Sequence, residues 1–506
     1  MRVALIYPPI KYKNEYPLLT QNRQFKFTNS REVRIYPVVM AYLATMLKND
    51  GNEVLYLDGI NLRMKFEEFN KKLLEFSPDY IVIETKAPIL KKHWEYINWI
   101  KENIHSTQVI LVGDHIVFYP EESLNFSKAD ICIAGGDYDF IIRDFIRFRQ
   151  GKIAKMPSGI FFREGNKIKS SGFAKFYNLN ELPLIDRDLT MWHIYGEAYL
   201  YHPCGYIMSG RGCGGSNSWK NFKSRKKITE KYQTKMPGLC SFCIWQHSFW
   251  RCTARLQSPQ KVVDEIENLY KNYKIEEVFD DNESGALWNE EWLVDFHKEM
   301  KKRNLIGKIS ISTNARADSL TDSVCKLLKE TGFRLLKIGV ESGNNKTLEK
   351  LKKDESAEEI MAGIKKAKNY GLIAMLTTMV GYPWEDEKDA ENTYKFTKEI
   401  MLYKTHFGDS LQSSIILPYP GTPLYNEALR KDWFIVDPKD YEKFDMAHQI
   451  LKTSIDTAKW CKKMWRIHLH PLFIIKSILT LRHWKDIKLA LRGFISLLGH
   501  LQDYRE

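Results

Sequence analysis

The sequence lacks any run of eighteen or more uncharged apolar residues, so no segment is expected to span a bilayer. It also lacks the marks of a secretory leader. MRVALIYPPI opens directly into a strand-like run, with no apolar stretch and small-residue cleavage site behind it, and a cytoplasmic chain is expected. Eight cysteines among 506 residues are too few for a disulfide scaffold, and in that compartment they should be reduced unless they bind metal. Acidic residues fall short of basic ones, 63 against 76, a net charge of +13. That balance fits nucleic acid, an anionic membrane surface or an acidic substrate, and equally a generally lysine-rich surface. At 44% hydrophobic and 13% aromatic the composition excludes global disorder. The length exceeds what one core fills, so two or three domains are expected.

What is present begins with alternation. VALIY (3–7), EVLYLDG (53–59), YIVIET (80–85), QVILVGD (108–114) and ADICIAGG (129–136) read as buried strands. Between them lie helical stretches at 38–51, 65–76, 90–104 and 120–126. This pattern predicts an α/β domain over 1–150, a doubly wound, Rossmann-like parallel sheet. Ligands of such sheets sit at the C-terminal strand ends. Those ends carry Pro8 and Pro9, Asp58, Thr85 and Lys86, Gly113 to His115, and Gly135 with Gly136. Glycines there allow close approach to the backbone, either by a ligand or in an ordinary turn. Residues 151–200 read as a linker with a hairpin turning at Glu164–Gly165–Asn166.

A second series runs over 201–435. Its strands are expected at 206–210, 276–281, 308–313, 335–343, 374–383 and 411–420. Six βα units imply a partial or full β/α barrel with its site on the C-terminal strand ends. Cys213 follows the first strand. Cys240 and Cys243 sit in GLCSFC, after an intervening stretch of twenty-six polar and basic residues, 214–239. Three thiolates on one face are a metal-site candidate: a zinc ion with an open position, or an iron–sulfur cluster with one iron left open. Cys204 and Cys252 are the nearby alternatives to Cys213. Residues 436–506 read as a helical region whose polar face is almost wholly basic. It is either a cap on the barrel or a surface resting on an anionic membrane or taking a lipid-like substrate.

These motifs together resemble the cobalamin-binding-domain class of the radical S-adenosylmethionine (SAM) superfamily, over nearly the whole chain. CSFC keeps the second half of that family's Cys-x3-Cys-x2-Cys motif, with Phe242 before the last cysteine, and RGC at 211–213 resembles its lead-in. The first interval here is twenty-six residues instead of three. The resemblance implies a 4Fe-4S cluster on Cys213, Cys240 and Cys243, whose open iron chelates SAM. It implies SAM contacts from Asp281 in VFDDNESG, from Ser312, Asn314 and Arg316 in ISTNARAD, and from Glu341 and Ser342 in IGVESGN. It implies cobalamin on the first sheet, near Thr85, Gly113, His115, Gly135 and Gly136. The family's Asp-x-His-x-x-Gly signature is absent and no histidine precedes His93, so no protein imidazole is expected below the cobalt. Gly136–Asp137–Tyr138–Asp139 replaces the family's Gly-Glu-Gly-Glu segment.

The activity implied is reductive cleavage of SAM, most often coupled to methylation of an unactivated carbon of a hydrophobic or small-molecule substrate. An external reductant such as ferredoxin or flavodoxin would supply the electron. Oxidative cyclisation or rearrangement on a tetrapyrrole-like substrate is the alternative chemistry. A methylthiotransferase reading is weaker, because that family has three further cysteines in its N-terminal domain and this chain has only Cys132 there. From a different class, the basic stretch at 219–238 (Lys220, Lys223, Arg225, Lys226, Lys227, Lys231 and Lys235) fits a nucleic-acid-binding or non-catalytic relative, although no RNA-binding motif accompanies it.

Overall fold

The structure is a computed structural model. It describes residues 1–19, 25–29, 33–213, 233–235, 240–251, 253–283, 287, 289–481 and 484–504. Most of the basic stretch and Cys252 therefore lie outside the described residues.

The first sheet has seven strands. β1 (Arg2–Tyr7), β2 (Glu53–Asp58), β3 (Tyr80–Glu84), β4 (Gln108–Val112) and β5 (Ile131–Ile133) are parallel. β6 (Ile160–Glu164) and β7 (Lys167–Ser170) form the expected hairpin. The hairpin is not part of a linker: β6 pairs antiparallel with β5 and extends the sheet to the order β7-β6-β5-β4-β3-β1-β2. Helices Val38–Asn49, Phe66–Phe76, Leu90–Asn103 and Pro120–Phe126 connect the parallel strands, and Tyr138–Arg149 leads from β5 to the antiparallel β6. Strands β1, β3 and β4 are almost wholly buried apolar runs, as a sheet covered on both faces requires. The order reverses between β1 and β3, and there Tyr7 Oη donates to Glu84 Oε2 at 2.5 Å.

The second sheet has six parallel strands in sequential order: β8 (Cys204–Ile207), β9 (Glu277–Asp280), β10 (Ser310–Ala315), β11 (Phe333–Glu341), β12 (Ile373–Val380) and β13 (Ser410–Ile415). No pairing among the described residues closes β8 onto β13, so this is a partial barrel. Its helices show why they form. Pro259–Tyr273 starts at Ser258, whose side chain accepts from Lys261 N, and buries Val262, Ile266 and Leu269 at helical spacing. Ala357–Asn369 and Glu387–Leu402 both open with capping boxes. A short sheet of Gly210–Arg211, Thr253–Leu256 and Gln233–Lys235 lies beside the barrel. The intervening stretch thus contributes one strand, Gln233–Lys235.

After β13 the chain is less helical than expected. Residues 436–456 hold one short 3-10 turn, Tyr441–Lys443, and return to the N-terminal region. There Met446 N donates to Phe25 O at 2.9 Å and Phe27 N to Asp445 at 2.8 Å. Helices Thr457–Trp465, Pro471–Leu479 and Trp484–Asp503 follow. Among the described residues no helix is long and apolar enough to cross a membrane.

Candidate active site at the ends of the second sheet

The strands of the second sheet carry their C-terminal ends to one cavity of about 210 Å³. Asp281 after β9, Asn314 and Arg316 at the end of β10, Glu341 at the end of β11, Met379 on β12 and Ile415 on β13 line it. So do Cys213, Cys240 and Cys243, with Phe242. Folding thus brings together thiols that twenty-six residues separate in sequence. Cys204 is excluded from this group by position: it begins β8, at the opposite end of the barrel. Among the described residues no three Cys, His, Asp or Glu side chains meet at one point, as a mononuclear ion needs. Cysteines spaced around a shared space suit a cluster, in which each sulfur holds a different iron.

Each cysteine is held by its neighbours. Gly212 has φ +97°, and a Cβ there would lie 1.8 Å from the Thr253 carbonyl oxygen, so only glycine fits. Its N–H donates to Glu283 Oε2 at 2.6 Å, while Trp250 Nε1 donates to Oε1 at 2.7 Å. One residue earlier, buried Arg211 reaches across to the first sheet. It donates to Asp137 at 2.8 Å and to both oxygens of Asp139 at 2.9 and 2.5 Å. Arg255, on the paired strand, donates twice to Asp137 at 2.8 Å. Burial would raise the Asp137 carboxyl; Arg255 and Arg211 outweigh it and hold it below the usual range. The segment carrying Gly135 and Gly136, expected near cobalamin, thus also clamps the approach to Cys213 through Asp137 and Asp139. On the other side, Cys243 N donates to Cys240 O at 3.1 Å, and Ser241 is pinned by Leu351 O and Leu424 N at 2.8 and 3.0 Å. Arg316 Nη1 lies 3.8 Å from Cys240 Sγ.

Glu341 enters the cavity through an irregularity. The register of β11 shifts between Gly339 and Glu341, and Glu341 has φ +64°. A bulge of this kind re-aims a side chain at a functional edge. Buried Lys353 donates to Glu341 Oε1 at 3.1 Å and to Gly339 O at 3.0 Å. Burial alone would lower the Lys353 ammonium; Glu341 and Glu355 outweigh it and push it up, so it stays charged. Asp281 accepts from Asn314 Nδ2 at 3.0 Å.

Other expected residues lie elsewhere. Ser312 does not line the cavity; it donates to Glu277 one layer down the barrel. Ser342 does not line it either. Its hydroxyl meets Glu385 at 3.0 Å, in a polar cluster with Thr393 and Thr347. Arg316 is at the cavity, but its fork, expected on a bound carboxylate, is engaged by Asp318 at 3.2 Å through Nε and Nη2. None of Thr85, Gly113, His115, Gly135 and Gly136 lines the cavity. Gly113 has φ +133°, and a Cβ would lie 1.9 Å from the Thr85 carbonyl oxygen. The corresponding space is taken at Gly135 by Ala174 and at Gly136 by the Phe249 carbonyl, 2.0 Å away. The room these glycines leave is used by the protein's own chain. Thr85 Oγ1 pairs with His93 Nδ1 at 2.8 Å. His115 is buried, with Nε2 2.6 Å from Glu122 and its ring edge-on to Tyr441 at 4.8 Å. Lys86 lies 3.8 Å from Asp114 and under the Trp245 ring at 5.8 Å.

The sequence reading passed over Glu283, Gln246 and Lys353, which all line the cavity. Glu283 lies in VFDDNESG, the segment that also supplies Asp281. Gln246 carries a sharper signal, visible only in the fold: both its amide atoms are buried without a hydrogen-bond partner.

Residues 237–397 match the family model described as the Radical SAM superfamily. The chain carries a radical SAM domain. The match takes in Cys240 and Cys243 and leaves Cys213 outside; in the structure all three line one cavity. A protein of Pyrococcus horikoshii named an uncharacterized methyltransferase is 24% identical over 91% of this chain and 93% of its own length. An anaerobic magnesium-protoporphyrin IX monomethyl ester cyclase of Cereibacter sphaeroides is 24% identical over 82% of this chain, which spans 63% of that relative. Among solved structures, the radical SAM methyltransferase TsrM from Kitasatospora setae, with cobalamin and a 4Fe-4S cluster bound, has a TM-score of 0.67 at 13% identity and covers 100% of this chain and 99% of its own. The cobalamin-dependent SAM radical enzyme OxsB has a TM-score of 0.68 at 16% identity, covering 99% of this chain and 71% of its own. The whole architecture, first sheet followed by partial barrel, is therefore the fold of those enzymes.

Proposed function

We propose that this chain is a cobalamin-dependent radical SAM enzyme that cleaves SAM at a 4Fe-4S cluster and methylates an unactivated carbon of a hydrophobic or small-molecule substrate. The observation that carries the reading is the convergence of Cys213, Cys240 and Cys243 on one cavity at the strand ends of a radical SAM domain. When bound, the cluster supplies the electron for SAM cleavage and cobalamin carries the methyl group. The chain's own residues do the rest. The three thiolates would hold the cluster, with the Arg316 guanidinium beside Cys240. Asp281, Asn314 and Glu341 offer acceptors and a donor at the cavity wall, where a bound amine or ribose hydroxyl would be oriented. Ile35, Ile244, Met379, Leu417 and Met446 form an apolar wall that excludes water and suits a hydrophobic substrate.

The cluster fits the residues present. Cobalamin rests on the likeness of fold, because the turn following Cys243 packs on the ends of β3 and β5, through Trp245 on Lys86 and Phe249 on Gly136. We derive no step through it. An external one-electron reductant and a peripheral membrane contact through the C-terminal helices complete the proposal. The methyltransferase-named relative covers this chain more fully than the cyclase relative, 91% against 82%, and favours methyl transfer. The test is anaerobic incubation of reconstituted protein with SAM and dithionite. Formation of 5′-deoxyadenosine that is lost in Cys240→Ala supports the reading; its absence with a full iron complement sinks it. Cobalamin retention, read by absorbance of the purified protein, tests the second cofactor separately.

A further inference from the structure

The two last helices leave a large apolar face uncovered. On Trp484–Asp503 the residues Trp484, Ile487, Leu491, Phe494 and Leu498 recur at helical spacing and are between 43% and 84% exposed. On Pro471–Leu479, Ile475, Ile478 and Leu479 are 54–78% exposed. A helix that packed only as a cap would turn these residues inward. Here the inward side is made by others: Leu489 and Leu497 are buried, Tyr201 Oη donates to Asp486 at 2.6 Å, and Arg492 donates to Leu200 O at 2.7 Å. Contiguous exposed apolar faces of this kind mark binding surfaces.

Charge says what would bind. Residues 457–504 hold nine lysines and arginines and two aspartates, and one of the two, Asp486, is buried. Lys485 and Lys488 flank the apolar stripe on exposed positions. Directly behind Trp484 and Lys485 is a cavity of about 980 Å³ at the N-terminal ends of the barrel strands. Lys308, Lys329 and Arg334 line it together with Glu276 and Asp486; Lys485 pairs with Glu276 and Arg334 with Glu277, each at 2.9 Å, so the cavity itself is of mixed charge. An apolar face flanked by lysines, on a segment with an excess of basic residues, is complementary to a lipid surface that is apolar inside and anionic at its headgroups.

We infer that this face docks on an anionic membrane, with the side of the barrel along which Trp484–Asp503 runs turned to the lipid. This rests on the peripheral contact proposed above and assigns it a lipid charge and an orientation. The orientation separates docking from chemistry: the exposed face does not border the cavity that holds Cys213, so it anchors the protein and is not a channel for substrate.

The test is flotation of the full chain with vesicles of phosphatidylcholine alone and of phosphatidylcholine with phosphatidylglycerol, at low and high salt. The inference expects flotation with the anionic vesicles only, weakened by salt, and a drop of tenfold or more in the bound fraction for Leu491→Asp with Phe494→Asp. Both side chains are exposed, so circular dichroism should match the unsubstituted chain. Lys488→Glu should cut anionic binding with the apolar face intact. Equal flotation with both vesicle types overturns the anionic assignment while leaving a membrane contact. No flotation with either overturns the contact itself. A concentration-dependent dimer in sedimentation, dissolved by the same aspartates, gives the face to a second copy and also overturns it. Iron content of the same preparations reports on the cluster independently.

Discussion

One chain contains two sets of parallel strand ends, and they are used in opposite ways. The second sheet ends in a cavity rimmed by three thiols, an acidic bulge and a buried lysine. The first sheet, whose strand ends look equally suited to a ligand, is packed there by the chain itself. Its polar groups pair inward: Tyr7 on Glu84, Tyr195 on Asp58, His93 on Thr85. Glycines at strand ends let another group come close: protein backbone at Gly113 and Gly136, the Ala174 side chain at Gly135. The first sheet still acts on the second through the Asp137 and Asp139 clamp on Arg211, two residues from Cys213.

Breaking the clamp should have the largest effect. Asp137→Ala leaves Arg211 and Arg255 buried with one carboxylate between them, and an uncompensated buried charge costs about 3–5 kcal/mol. Chemical denaturation should show that loss, and the cysteine-ligated iron of the folded fraction should fall with it. Stability unchanged within experimental error would mean the two sheets are not coupled there.

Glu84 sharpens the contrast by pH. Burial, opposed by Tyr7 and Lys86, raises its carboxyl to about 7 from 4.5. The folded chain then keeps a proton that the unfolded chain releases. That contribution is fully present below about pH 4.5 and is lost as the pH rises to 7. Glu84→Gln should match the unsubstituted protein near pH 4 and exceed it by up to about 3 kcal/mol at pH 8. Denaturation at the two pH values checks this, and equal differences at both would refute the assignment. Gly136→Ala should cost about 1–3 kcal/mol, because its Cβ would lie 2.0 Å from a backbone oxygen that no rotamer change can move. Smallest of all, Lys71→Ala on an exposed helix face should change stability by no more than about 0.5 kcal/mol.

The alternation of strands and helices was legible because buried strands are apolar runs and the helices carry one apolar stripe. All six strands of the second sheet lie within a few residues of their expected places. Cys213 was legible from the strand-like run before it, although the stretch that follows obscures the spacing. Individual site residues were harder. Ser312 and Asn314 share a strand face, but two residues is about 7 Å along a strand, and only the later one reaches the cavity. Ser342 follows the last residue of β11, just past the bulge at Gly339–Glu341, and its hydroxyl meets Glu385 instead of lining the cavity. Arg316 found a closer carboxylate, Asp318, two residues on. Lys353 and Gln246 carry no local pattern; only the fold shows that one is paired to Glu341 and the other has no partner.

The central claim is that Cys213 completes a cluster site with Cys240 and Cys243 despite the intervening residues. Anaerobic reconstitution with iron and sulfide, followed by iron counting and electron paramagnetic resonance of the reduced protein with and without SAM, tests it most directly. The account predicts about four irons per chain, a signal that SAM perturbs, and loss of both in Cys213→Ala as in Cys240→Ala. An intact, SAM-responsive cluster in Cys213→Ala would contradict it.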